Sequence, residues 1–113
     1  MIFETVNSGD ALIIRIPGPS LDAHTSPEFK EEIKPLIDSS TQIVLDMSGL
    51  NFLDSSGLGA ILTCLRRTTA NGGKLALCGM QKQVRMLFEL VRVHTIFKIC
   101  ATEDEAIAIV ASA

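Results

Sequence analysis

The sequence predicts a single α/β domain, a mixed and mostly parallel sheet of about five strands with about four helices packed against it. Three observations carry that expectation. Short apolar runs at residues 11–16, 43–47 and 74–78 have the length and composition of strands. Between them apolar residues return at helical spacing, and alternation of strand with helix is the pattern of an α/β layer fold. The chain has 113 residues, 47% of them hydrophobic and 20% charged, which suits one core and one domain over residues 1–113. A chain of this length buries roughly two-thirds of its unfolded surface and needs no metal or disulfide to hold it.

Each element follows from local signals. Residues 2–6 and 11–16 read as an N-terminal hairpin joined by the turn Asn7-Ser8-Gly9-Asp10. Thr25 with Glu28 fits a capping box, Pro27 sits in a first helical turn, and Phe29, Ile33, Leu36 and Ile37 form one apolar stripe. Pro35 is expected to kink that helix or shorten its last turn, because proline removes a helical hydrogen bond. Residues 43–47 form the next strand, and Leu58, Ile61, Leu62 and Leu65 mark the next helix, which Asn71-Gly72-Gly73 ends. Residues 74–78 are again a strand, followed by a third helix marked by Val84, Leu87, Phe88 and Val91. Met86, Leu90 and Val93 give that helix a second apolar stripe, which predicts burial of both faces or, as the alternative, a groove for a partner. Residues 96–99 read as a last short strand, and residues 103–111 as an acidic-capped helix with Thr102 at its N-cap.

Composition narrows the function. Net charge is −3, and ten Lys and Arg residues are spread without a basic run, so the electrostatic term that dominates nucleic-acid binding is missing. Cys64, Cys78 and Cys100 form no Cys-x-x-Cys pair, which points to buried reduced thiols in a cytoplasmic protein. No apolar run approaches the length of a membrane span, and no targeting segment is recognisable at the N-terminus. His24 and His94 lack partners at metal-ligand spacing and read as surface or loop residues; no metal and no cofactor of its own is expected. Ser55 and Ser56 fail the nucleophile-elbow pattern, and Gly57 and Gly59 belong to no phosphate-binding or dinucleotide fingerprint, so the chain is not expected to be an enzyme.

The segment Leu53-Asp54-Ser55-Ser56-Gly57-Leu58-Gly59 lies where strand turns into helix. One reading is structural: Ser55 or Ser56 caps the helix, Asp54 opposes its dipole, and the apolar residues pack. That reading leaves the two glycines unexplained, since each costs up to about 1 kcal/mol against alanine in a helix. The second reading is that Gly57 and Gly59 keep the turn open for a close-approaching partner, unless a positive φ demands glycine. A phosphate on a serine here would meet the unpaired N–H groups of a helix start, so the modification need not unfold the domain. Its charge of about −1.5 to −2 would still repel an acidic or apolar partner.

Asp54-Ser55-Ser56-Gly57-Leu58-Gly59, with Val44-Leu45-Asp46 upstream and Gly72-Gly73-Lys74-Leu75 downstream, closely resembles the bacterial anti-sigma factor antagonists of the STAS domain family. Leu21-Asp22-Ala23-His24-Thr25 and Val84-Arg85-Met86-Leu87-Phe88 also match, and the resemblance spans nearly the whole chain. It departs at Pro19, where the family usually has glycine, and at Val91-Arg92-Val93-His94, which replaces a Met-Ser-Gly-Leu segment. The resemblance implies a regulatory cycle. The unmodified protein binds an anti-sigma factor that is itself a serine kinase and so frees the sigma factor. The kinase, using ATP, phosphorylates Ser55, and a PP2C-type phosphatase reverses the mark. Asp22 and Asp54 would flank the acceptor, and Ser56, Gly57, Leu58 and Gly59 would lie in the partner-facing surface. The alternative is a STAS-like scaffold subunit of a larger signalling or transport assembly that is never phosphorylated.

Overall fold

The computed structural model describes residues 1–112. Two strands, β1 (Glu4–Ser8) and β2 (Ala11–Arg15), form an antiparallel hairpin that pairs Ser8 with Ala11. The turn is therefore the two residues Gly9 and Asp10, tighter than the four-residue turn expected. Gly9 has φ +60°, the left-handed value that such two-residue hairpins require.

A short strand β3 (Ser20–Leu21) precedes α1 (Ser26–Asp38), and β4 (Gln42–Asp46) follows it. A second short strand β5 (Phe52–Leu53) precedes α2 (Ser55–Ala70), β6 (Lys74–Cys78) and α3 (Lys82–Leu90). A 3-10 turn (Val93–Thr95), β7 (Lys98–Cys100) and α4 (Glu103–Ala111) complete the chain. The main sheet runs β1-β2-β4-β6-β7, with every pair after the hairpin parallel. This is the mixed five-stranded sheet with four helices that the sequence predicts. Residues 96–99 are not the final strand: it begins at Lys98, and the 3-10 turn precedes it. The two-residue strands β3 and β5 pair in parallel as a separate ribbon, which no sequence period announces because neither is long enough to show one.

Alternation along the strands divides the core unequally. Leu12, Ile14 and Ile16, Ile43, Leu45 and Met47, and Leu75 and Leu77 face the side that carries α1, α2 and α3. Ala11, Ile13, Val44, Ala76 and Cys78 face α4, which contributes Ala106 and Val110. Large side chains thus sit under three helices and small ones under one short helix, which lets α4 lie close to the sheet. Arg15 locks it there, donating to both carboxylate oxygens of Glu103 at 2.9 and 3.0 Å. Cys64 and Cys78 are buried, and burial pushes each thiol up to about 12.

Three local expectations fail for physical reasons. Pro35 neither ends nor shortens α1, which runs on to Asp38 with the proline on its exposed side. The Thr25–Glu28 capping box does not form: Glu28 is taken by the chain's own amino terminus at 2.8 Å, with Glu32 completing the clasp. The outer stripe of α3 is not buried, as Met86 is 58% and Leu90 79% exposed. Val84 and Phe88 alone are fully buried on that helix, the latter stacked edge-on against Phe97 at 5.6 Å.

Candidate functional site

The site forms where the β3–β5 ribbon delivers two chain segments to one place. After Leu21 the chain turns into α1, and after Leu53 it turns into α2, so the two helix starts lie side by side. Asp54 joins them. It is the N-cap of α2, its Oδ1 accepting from the Gly57 N–H at 2.9 Å while Oδ2 accepts from the Ala23 N–H at 3.0 Å. The capping role expected of Ser55 or Ser56 therefore belongs to Asp54, and both serines stand exposed in the first turn of the helix.

Asp22 braces the neighbouring loop. Its Oδ1 accepts from the N–H groups of His24 at 2.9 Å and Thr25 at 3.1 Å, and from the Thr25 hydroxyl at 3.2 Å. The Thr25 hydroxyl oxygen in turn accepts from the Asp22 N–H at 3.0 Å. These donors, the Thr25 N–H first among them, hold the Asp22 carboxyl below its ordinary pKa. Asp22 is thus an ionised brace of the backbone beside the serines, and Asp54 braces the same region through its bonds to the Gly57 and Ala23 N–H groups.

The two glycines do different things. A Cβ on Gly57 would lie 2.1 Å from the Leu21 carbonyl oxygen, so α2 can press on the end of β3 only because that side chain is absent. Its φ is not positive and it is buried, so close packing on β3, and neither a left-handed backbone nor open space, accounts for this glycine. Gly59 has nothing within 4 Å of the position its Cβ would take. The space beside Gly59 is therefore open. Leu58, grouped with the partner-facing turn from the sequence, is only 7% exposed and belongs to the core.

The exposed surface of the turn therefore consists of Ser55 and Ser56, flanked by Ala23 and His24, with Asp22, Asp54 and Gly59 half-buried. No described residue accepts from the Ser55 or Ser56 N–H, so the helix start presents two free donors. Such a terminus stabilises an anion added to Ser55, while the flanking carboxylates raise the negative charge a partner would meet. Phe52, on β5 three residues before Ser55, is 55% exposed beside the turn, and as a lone aromatic in a two-residue strand it has no period in the sequence that would mark it. His94 lies in the 3-10 turn with a buried Nδ1 that has no hydrogen-bond partner, away from this turn. Among the described residues no cluster of His, Cys, Asp and Glu is arranged to hold a metal ion, and no helix is long and apolar enough to cross a membrane.

Comparison with known proteins agrees with this geometry. The STAS domain family matches residues 3–106. An anti-sigma F factor antagonist of Paenibacillus polymyxa is 34% identical over 98 residues, covering 85% of this chain and 83% of its own. The anti-sigma factor antagonist SpoIIAA in its unphosphorylated form superposes with a TM-score of 0.76 at 29% identity, covering 96% of each chain. The phosphorylated form of the Bacillus cell fate determinant SpoIIAA superposes at 0.69 and 28% identity, covering 96% of this chain and 99% of that one. With the fold, the ribbon-borne turn and these likenesses in agreement, the chain belongs to the STAS domain family.

Proposed function

We propose that this protein is an anti-sigma factor antagonist switched by phosphorylation of Ser55. Unmodified, it binds an anti-sigma factor that is a serine kinase and frees the sigma factor; phosphorylated, it is released; a PP2C-type phosphatase restores it. The observation that supports this most is the position of Ser55: exposed, in the first turn of α2, beside free N–H donors and between braced carboxylates. There a phosphate changes the surface charge without displacing a core residue. That a relative exists in phosphorylated and unphosphorylated forms is consistent with a domain that stays folded through the change. In this reading the chemistry belongs to the partners, and ATP is consumed by the kinase.

The test is phosphorylation of the purified protein by a candidate kinase-type anti-sigma factor, mapped by mass spectrometry. Label on Ser55 that Ser55→Ala abolishes and Ser56→Ala retains supports the assignment; label that survives Ser55→Ala overturns it. Ser55→Asp is expected to stay within about 1 kcal/mol of wild-type stability, the scale of an acid near a helix start, while losing partner affinity. A protein that binds the anti-sigma factor but is never labelled would instead be the scaffold subunit.

A further inference from the structure

Among the described strands, β6 and β7 are the neighbouring parallel pair whose following helices go to opposite faces of the sheet: Val84 and Phe88 of α3 join the larger core, Ala106 and Val110 of α4 the smaller. Outside the carboxyl ends of strands that diverge in this way a crevice opens, the usual place for a ligand in an α/β sheet. Here it measures about 410 Å³ and is lined by Gly79, Met80, Arg85, Cys100 and Glu105, all of them exposed or half-buried. Beside Cys100 stands Cys78. The two are register partners across the strand pair, and both pack toward α4, so their Cβ atoms leave the sheet in the same direction. Neighbouring strands lie about 4.8 Å apart, within the roughly 4.4–6.8 Å that Cα atoms span in a disulfide. The Cβ atoms must approach a little further, and β7, a three-residue strand at the sheet edge, can move without disturbing the centre of the sheet.

The charges on the rim indicate which reagent the crevice suits. Arg85 is bound only loosely, to Glu89 at 3.8 Å, and Glu105 is held in place by accepting from the Ala101 N–H at 3.1 Å. One cation and one anion beside a thiol match a reagent that carries a carboxylate and an ammonium group close to its own sulfur. We propose that Cys78 and Cys100 are a dithiol site, oxidised through this crevice by a small zwitterionic disulfide of the cystine class. In the first step the Cys100 thiolate attacks one sulfur of the reagent, forming a mixed disulfide and releasing one thiolate. The Cys78 thiolate then attacks the Cys100 sulfur, closing the Cys78–Cys100 bond and releasing the second. The protein loses two electrons and two protons, and the reagent is reduced to two thiols. Burial, with Asp46 and Glu103 nearby, pushes the Cys78 thiol up to about 12, and burial and Glu105 raise that of Cys100, so the exchange accelerates as pH rises. The second step is intramolecular, and the strand register supplies the proximity that offsets a scarce thiolate.

The test is incubation of the reduced, folded full chain with cystine or with uncharged hydroxyethyl disulfide at mildly alkaline pH, followed by intact mass and peptide mapping. Wild type is expected to end two hydrogens lighter, with Cys78 joined to Cys100 and Cys64 still reduced. Cys78→Ser is expected to stop at a cysteinyl adduct on Cys100, and Cys100→Ser to stay unmodified. Combining Arg85→Gln with Glu105→Gln, which keeps an acceptor for the Ala101 N–H, is expected to slow cystine at least threefold and to leave hydroxyethyl disulfide unchanged. No reaction, a cysteinyl adduct that persists on wild-type Cys100, a disulfide between two copies of the chain, linkage through Cys64, or an unchanged cystine rate in the double variant would each overturn the proposal. If Cys78→Ser does not fold, the wild-type peptide map and the Cys100→Ser control, at a half-buried position, decide the matter on their own.

Discussion

The first turn of α2 and the last turn of α3 are both helix ends at the surface, and they are held in opposite ways. At α2 a side-chain cap, a cross-brace to Ala23 and a backbone pressed against Leu21 fix every part of the turn. At α3 no basic residue faces the terminal carbonyls, and the chain leaves the helix through Arg92, which has φ +62°. Arg92 is the only residue other than glycine with positive φ among those described. The braced end is the one that carries Ser55, the proposed acceptor, where the bracing would let a charge be added without reorganising the fold. Strain and exposed apolar side chains collect at the end where no chemistry is proposed.

The comparison breaks most sharply at Gly57. Gly57→Ala must force a methyl group into the Leu21 carbonyl, and the backbone on either side has little room to give. A loss of about 3 kcal/mol is expected, at the upper end for overpacking, read as a lower denaturant midpoint at unchanged slope. A variant as stable as wild type would show that α2 and β3 are not in firm contact and that the turn is loose. Asp54→Ala comes next. It removes the cap and the cross-brace together, for a loss of about 2 kcal/mol, the upper range for a single cap. Asp54→Asn, which keeps an acceptor, is expected to recover part of it, and thermal melts of the two variants give the partition.

At α3 the expected sign reverses. Arg92→Gly relieves a left-handed conformation that costs an ordinary residue roughly 1–2 kcal/mol, against a smaller entropic cost of introducing glycine. A gain of about 1 kcal/mol in thermal or denaturant unfolding is expected. If the variant is neutral or less stable, the Arg92 side chain contributes contacts that offset its backbone, and the corner is not simply strained.

The two ends were unequally legible in the sequence, for a reason that individual residues make plain. The strands at residues 43–47 and 74–78 and the helices between them follow from periodicity, since burial on one or two faces writes itself into every second or every third and fourth residue. Thr102 at the start of α4 also caps as local chemistry predicts, accepting from the Glu105 N–H at 3.2 Å. What failed depended on partners distant in sequence. Glu28 has the spacing of a capping box, but Met1 lies 27 residues away and takes its carboxylate. Gly57 and Gly59 look alike in sequence; only the β3–β5 pairing, itself too short to predict, decides that one lies beneath Leu21 and the other faces solvent. The same pairing buries Leu58 and leaves Phe52 outside. The acceptor turn is readable as a motif, whereas which of its residues a partner can touch is a tertiary fact.

The smallest expected effect on stability is also the most informative about function. Gly59 lies in the second turn of α2 with open space where its Cβ would be, and its φ is not in the left-handed region. Gly59→Ala therefore meets no steric opposition and reduces the entropy of the unfolded chain, so a gain of about 0.5 kcal/mol is expected. If the position is open only because nothing has filled it, the variant will bind the kinase and be phosphorylated on Ser55 at the wild-type rate. If the opening is where a partner's backbone comes close, the same methyl group will weaken binding and slow phosphorylation in a protein more stable than its parent. A stabilised but poorly phosphorylated variant cannot be explained by damage to the fold, and that combination, read from a melt and a phosphorylation time course on one preparation, is the expected result.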